Sequence, residues 1–263
     1  MLRSPLINVM VNAALKAGKG LKRDFGELEH LQVSTKGPGD FVSIADKRSE
    51  KILYQELEKA RPGYGFLMEE SGNVDGRDKT HRWIVDPLDG TVNFLHGIPF
   101  FCISLGLERE GALVAGVVYN PANDDIFVAE RGSGAYCNDR RIRVSKRSAM
   151  ADTLLSAGFS SKRADDRIRN ERQIAALETL PAGMRRLGAT ALEMSYVAAG
   201  RLDGLWHQGV HPWDIAAGIV LVREAGGFVT DVDGNEPNVS SGTIIAGNED
   251  VHKSLLKTRA STS

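Results

Sequence analysis

The stretch that most constrains this 263-residue chain is Trp83 to Phe94, WIVDPLDGTVNF, where an apolar strand runs into a turn holding two carboxylates and a hydroxyl. Trp83, Ile84 and Val85 read as the end of a buried strand. Pro87 fixes its own φ and biases Asp86 towards an extended backbone, while Asp89-Gly90 supplies a tight turn. The chain cannot fold back as a helix at once. Asp86 and Asp89 can therefore point to one side of the strand end, and the Gly90 and Thr91 amides can open a new helical turn towards an anion. That pairing suits a hard cation and a phosphate. Taken alone, Asp-x-x-Asp-Gly is more often an ordinary turn, so the rest of the chain has to decide.

With 42% hydrophobic and 25% charged residues, the chain can fill one large domain or two intimately packed halves. A net charge of -1 supplies no global field for nucleic acid or anionic membrane, so an anionic ligand has to be held by local groups. Cys102 and Cys137 lie far apart and outside any Cys-x-x-Cys pattern, which argues for a reducing compartment and against structural zinc or a disulfide framework. Asn8, Asn12 and Lys16 interrupt the N-terminal apolar run, so neither a signal peptide nor a membrane span is read there. A cytoplasmic protein is expected.

Ser4-Pro5 opens a first helix expected to end near Phe25, and Ser43-Ile44-Ala45-Asp46 has the form of a capping box opening a second, stopped by Pro62-Gly63. Asp46 can cap that helix or face the Asp86–Asp89 turn. Gly65 to Met68 reads as a short strand delivering Glu69-Glu70 to its end. Adjacent carboxylates there point in opposite directions, so at most one joins a shared site. From Phe100 to Phe127 the spacing predicts an antiparallel meander. The basic run Arg140 to Arg147 has no interleaved aromatic residue and reads as a solvated face rather than a nucleic-acid surface. A second segment begins near Ala151, with a strand from Thr153, a polar helix from about Asp165, and Gly188-Ala189-Thr190 at the start of another helix. Small residues there allow close approach of a ligand, or equally of a packed helix. Pro212-Trp213-Asp214 starts a helix with Ile215, Ile219, Val220 and Val222 as its buried face. His207 and His211 with Asp214 form only a sparse zinc set, because Gly209 and Pro212 break the helix that would align both imidazoles.

Glu70, Asp86, Asp89 and Asp214 each sit at the end of an element, with no cysteine or histidine among them. All-oxygen ligation selects Mg²⁺ over zinc or copper, and Mg²⁺ commonly completes its octahedron with water and substrate phosphate. The implied chemistry is metal-assisted hydrolysis of a phosphate ester.

At this point the chain resembles a known family. WIVDPLDGTVNF is similar to the first signature of the inositol monophosphatases, and HPWDIAAG with the downstream REAGG to their second. The resemblance also takes in Lys36, Ser43 to Asp46, Glu69-Glu70-Ser71, Gly116 to Pro121 and Gly188-Ala189-Thr190, and so covers almost the whole chain. It implies an α+β fold, a layered α-β-α-β-α sandwich shared with fructose-1,6-bisphosphatase, spanning residues 1–263 as one domain. Its halves, about 1–148 and 149–263, would share the active site. It implies a homodimer and inhibition by Li⁺.

Carried over by position, Glu70, Asp86, the Leu88 carbonyl, Asp89 and Asp214 look like ligands of two Mg²⁺ ions, with Asp46 near a third, weaker one. Thr91 with Glu70 and Asp46 would orient and deprotonate the attacking water, and the Gly90 and Thr91 amides would hold the phosphate. Gly188, Ala189, Thr190, Asp89 and Asp214 would contact the polyol or its phosphate. The expected substrate is a small polyol phosphate, inositol 1-phosphate first. Fructose 1,6-bisphosphate, histidinol phosphate and a nucleotide 3′-phosphate are the alternatives, and a regulatory binding role beside the activity is a further one. One departure stands out: His207 occupies the position where inositol-specific members usually carry a glutamate that accepts from a ring hydroxyl. Histidine is larger and can donate as well as accept, which puts strict inositol specificity in question.

Overall fold

The computed structural model describes residues 3–27, 33–37, 40–159 and 164–262, with the side chains of 33–43, 164–167 and 169 left aside. The side chains of Lys36 and Ser43, including the expected Ser43 cap, therefore lie outside the described residues.

Helix α1 (Pro5–Phe25) begins where expected: Ser4 Oγ accepts the Ile7 N–H at 3.1 Å and Pro5 occupies the first turn. A short ribbon, β1 (Val33–Gly37) and β2 (Asp40–Ser43), leads into α2 (Ile44–Ala60). Then come β3 (Gly65–Met68), β4 (Gly72–Val74), β5 (His81–Asp89) and the single turn α3 (Thr91–Leu95). The meander follows as β6 (Cys102–Arg109), β7 (Ala112–Asn120), β8 (Asp125–Glu130), β9 (Gly134–Cys137) and β10 (Arg140–Arg141). The second segment holds β11 (Leu154–Phe159), α4 (Ala164–Glu178), β12 (Gly183–Arg185), α5 (Thr190–Ala198), β13 (Gly204–Gln208), α6 (Pro212–Glu224), β14 (Phe228–Thr230), β15 (Thr243–Gly247) and α7 (Glu249–Ser261).

One sheet has eight strands in the order β10-β9-β8-β7-β6-β5-β3-β4, all antiparallel except β3 against β5. The other has five, β12-β11-β13-β15-β14, parallel over its first three and antiparallel after. Three apolar cores hold five layers together, the middle one reaching both sides of α5 and α6: α1 and α2 on one face of the large sheet, α5 and α6 between the sheets, and α4 and α7 outside the small sheet. This is the expected α-β-α-β-α sandwich. Because helices cover both faces, β5 to β8 are near-continuous runs of buried residues rather than alternating ones.

Helix α6 is the middle of that stack. Ile215, Ile219, Leu221 and Val222 are fully buried, each worth about 1.5–3 kcal/mol over exposure. It lies almost on the backbone of the large sheet. A Cβ on Gly116 would sit 2.5 Å from the Ala217 carbonyl oxygen, and one on Gly106 would sit 2.8 Å from Ala216 Cβ. Those two glycines set how deep the helix can seat.

The strand β13 was not anticipated, since His207 and Gln208 break its apolar run. Both are buried on hydrogen-bond partners, Gln208 Nε2 donating to Gln173 at 2.8 Å. Helix α7 closes the small sheet's outer layer, with Asn248 as its N-cap accepting the Val251 N–H at 3.0 Å. Among the described residues no helix is long and apolar enough to cross a membrane.

Candidate active site

Strand β5 ends on the Asp86–Asp89 turn. The β5–β6 pairing is broken between Asp86 and Asp89, as expected of a segment containing Pro87. The Asp86 carboxylate accepts the Leu88 N–H at 2.9 Å, and Ser49 of α2 donates to the Pro87 carbonyl at 2.8 Å, locking the turn. Gly90 has φ +89°, a left-handed value that starts α3. A Cβ there would meet Ala189 Cβ and the Phe100 carbonyl at 3.0 Å. The turn thus abuts the Gly188-Ala189-Thr190 segment directly.

Other bonds tie the two segments together. The Asp89 carboxylate accepts the Ala191 N–H of α5 at 2.7 Å, with Cys102 Sγ 3.7 Å away. Asn93 Nδ2 donates to the Leu187 carbonyl at 2.6 Å and to the Phe100 carbonyl at 2.8 Å. Ser104 Oγ donates to the Trp213 carbonyl at 3.0 Å, pinning the first turn of α6 to β6. There Asp214 accepts the His211 N–H at 2.8 Å rather than acting as the N-cap itself. Thr91 Oγ1 lies 3.0 Å from both the buried Asp46 carboxylate and the Leu88 carbonyl.

At the glutamate pair the structure departs from expectation. Strands β3 and β5 run parallel in the register Met68↔Val85, so the next pair along is Glu69 and Asp86, side by side. Glu69 donates its N–H to the Val85 carbonyl, and its carboxyl is hydrogen-bonded to Asp86. Glu70, the residue expected to join the site, instead lines a surface pocket with Lys47, Lys51 and Tyr54. Its N–H is held by the buried Glu50 carboxylate at 2.9 Å, which also takes the Ser71 hydroxyl. The two-residue alternation of a strand forbids both glutamates from facing inwards, and the parallel register selects Glu69.

Burial and then the charges of Glu69, Asp89 and Asp214 push the Asp86 carboxyl well above its ordinary range. Burial and then Asp214 do the same to Asp89, and burial raises Asp214 against the opposing pull of His211 and His207. Crowded carboxylates of this kind are relieved by a hard cation, and oxygen donors alone suit one. Among the described residues no three histidine, cysteine or acidic side chains close into a ready-made metal cage. The cluster fits an ion that fills its shell with water and substrate oxygens, as Mg²⁺ does.

His207 was expected to touch the substrate, but the structure turns it inwards. It is 4% exposed, with Nε2 at 3.0 Å from Glu193 and Nδ1 at 3.1 Å from Thr190 Oγ1. Glu193 is fully buried and also accepts from Ser156 and from the Leu187 and Gly188 N–H groups at 3.1 and 2.8 Å. Burial would raise the Glu193 carboxyl, but His207, Ser156 and the Gly188 amide together hold it below its ordinary value. Sequence reasoning missed Glu193, although one acidic residue inside the apolar run Ala191 to Met194 was a visible signal for a buried partner.

The whole chain is similar to known proteins. The profile of the inositol monophosphatase family matches residues 2–263. An inositol-1-monophosphatase of Mesorhizobium japonicum is 56% identical over 98% of this chain and 97% of its own length. The Nus factor SuhB of Escherichia coli K12 is 38% identical over 96% of this chain and 94% of its own length. The crystal structure of the extragenic suppressor protein suhB from Bartonella henselae superposes with a TM-score of 0.94, at 52% identity over 97% of this chain and 98% of that one.

Proposed function

Because the chain belongs to the inositol monophosphatase family and is a phosphoric monoester hydrolase, we propose that it hydrolyses a small polyol phosphate, inositol 1-phosphate first, with Mg²⁺. The observation that carries this reading is the convergence of Glu69, Asp86, Asp89 and Asp214 beside the Gly90–Thr91 turn and the Gly188–Thr190 segment. Those four carboxylates and the Leu88 carbonyl would hold two ions, with Asp46 near a weaker third. When bound, Mg²⁺ supplies charge neutralisation at the phosphate and a more acidic water.

The chain's own groups do the rest. Thr91 Oγ1, 3.0 Å from Asp46, orients a water and passes its proton to that carboxylate. The Gly90 and Thr91 amides at the start of α3 face the phosphate oxygens, the preorganised donors that phosphoryl transfer relies on. Since both ring nitrogens of His207 are engaged inside the protein and the Gly188 N–H is given to Glu193, the Thr190 hydroxyl and the amides of Ala189 and Thr190 are the groups left to read the polyol. The resemblance to the family also supports a lithium-sensitive, homodimeric, cytoplasmic enzyme.

The test is phosphate release from inositol 1-phosphate, glycerol 2-phosphate, fructose 1,6-bisphosphate, histidinol phosphate and adenosine 3′,5′-bisphosphate, in Mg²⁺, in EDTA and with Li⁺ added. Mg²⁺-dependent, Li⁺-sensitive turnover led by inositol 1-phosphate is expected. A preference for another member replaces the substrate, and metal-independent turnover overturns the mechanism.

A further inference from the structure

A cavity of about 580 Å³ opens at the opposite end of α6 from Asp214, in the size range of small-molecule sites. Asp214 lies in the first turn of α6 and Arg223 in its last, nine residues and so about 14 Å apart along the axis. The cavity is walled by the N-terminal part of β5, the β6–β7 turn and the segment from Glu236 to Ser240, and no residue of the candidate active site lines it.

Its chemistry is set by Arg82, Arg131 and Arg223, on an apolar floor of Leu113, Ile219 and Val239. Three glutamates also line it, but they differ in how they are held. Glu108 is bound to Arg82 Nη2 at 2.9 Å, and Glu224 accepts the Gly132 and Gly134 N–H groups at 2.8 and 2.7 Å. Glu236 is 78% exposed and touches Arg223 at 2.7 Å, a surface ion pair of the weak, solvent-screened kind. Arg131 has no carboxylate partner among the described residues. The cavity therefore offers the Arg131 guanidinium, without a carboxylate partner among the described residues, and the Arg223 guanidinium, held by a displaceable carboxylate, over apolar walls. Arginine forks of this kind match planar or tetrahedral oxyanions.

We propose that this cavity is a second binding site, separate from the catalytic one, for a small organic oxyanion: a carboxylate or phosphoryl group on an apolar body about the size of a ring. Glu236 occupies the Arg223 guanidinium when the ligand is away and gives it up when the ligand arrives.

The experiment uses phenylphosphonate and benzoate as probes, neither of them a phosphate ester the enzyme could cleave. Binding to the full chain is followed by titration calorimetry in EDTA, where the crowded active-site carboxylates repel anions. Saturable one-to-one binding of at least one probe is expected. The Arg131→Ala/Arg223→Ala double variant should weaken it at least about ten-fold, and Glu236→Gln should tighten it several-fold by removing the internal competitor. Circular dichroism and phosphatase activity with Mg²⁺ verify that each variant is folded. No saturation with either probe, equal affinity in the double variant, or weaker binding in Glu236→Gln overturns the proposal.

Discussion

Glu193 and His207 meet inside the second half of the chain, Oε2 to Nε2 3.0 Å, with the carboxylate fully buried and the imidazole nearly so. The consequence concerns the obvious specificity swap. Restoring a glutamate at 207 would set two carboxylates against each other with no water to separate them. His207→Glu should cost about 3 kcal/mol or more in a denaturant melt, the penalty of breaking a buried pair, and Glu193→Gln/His207→Glu should recover most of it. The substrate ratio of the double variant, not the single one, reports on inositol preference. A single variant as stable as the parent would refute the pair.

The same carboxylate predicts a pH dependence. Its folded value lies below that of the unfolded chain, so its stabilisation is present above about pH 4.3 and is lost as pH falls through the depressed folded value. The stability gap between the parent and Glu193→Gln should therefore shrink on acidification below about pH 5. Chemical denaturation at pH 7 and pH 4 measures it, and a gap that widens at low pH counts against the assignment.

Glu69 and Glu70 separate the register argument from composition. Glu69→Gln should lower kcat by about 10²-fold or more, because it removes a preorganised charge beside Asp86. Glu70→Gln should change it by only a few-fold. Steady-state kinetics of the two variants decides, and equal losses would mean that the parallel pairing of β3 and β5 does not choose between them.

Asp89→Asn takes a charge out of the crowded cluster, so it should raise Tm in EDTA while lowering kcat in Mg²⁺ by about 10²-fold or more. Opposite movements of stability and activity are the signature of a carboxylate held for function. Activity within a few-fold of the parent would remove Asp89 from the metal set.

Gly116→Ala should push α6 off the large sheet, since the new methyl would lie 2.5 Å from the Ala217 carbonyl oxygen. A cost of about 1–3 kcal/mol is expected, with kcat/KM down at least about ten-fold because Asp214 rides on that helix. Gly20→Ala in α1, where nothing lies within 4 Å, should instead stabilise by about 0.5–1 kcal/mol. Equal effects at both positions would mean that the close approach of α6 does not matter.

Much of this was legible along the chain because local chemistry agreed with the fold. Ser4-Pro5, Pro62-Gly63 and Pro212 punctuate helices by means that need no partner, and the meander announces itself by spacing. The Asp86–Asp89 turn was readable for the same reason. What stayed hidden depends on pairing across the chain. Which glutamate faces inwards follows from the Met68↔Val85 register, and no residue near Glu69 encodes that register. The inward turn of His207, on strand β13, follows from Glu193, which lies on helix α5. Strand β13 was missed because its polar residues are satisfied only by distant partners.

The placing of α6 also bears on how the protein is made. A helix whose every side is covered has no stable position until both of its walls exist, and two strands of those walls, β14 and β15, come later in the chain than α6 itself. A chain cut before Phe228 would lack β14 and β15, and the side of α5 and α6 turned towards the small sheet would lose part of its cover. Catalytic competence would then depend on those two strands although neither carries a site residue, because Asp214 rides on α6.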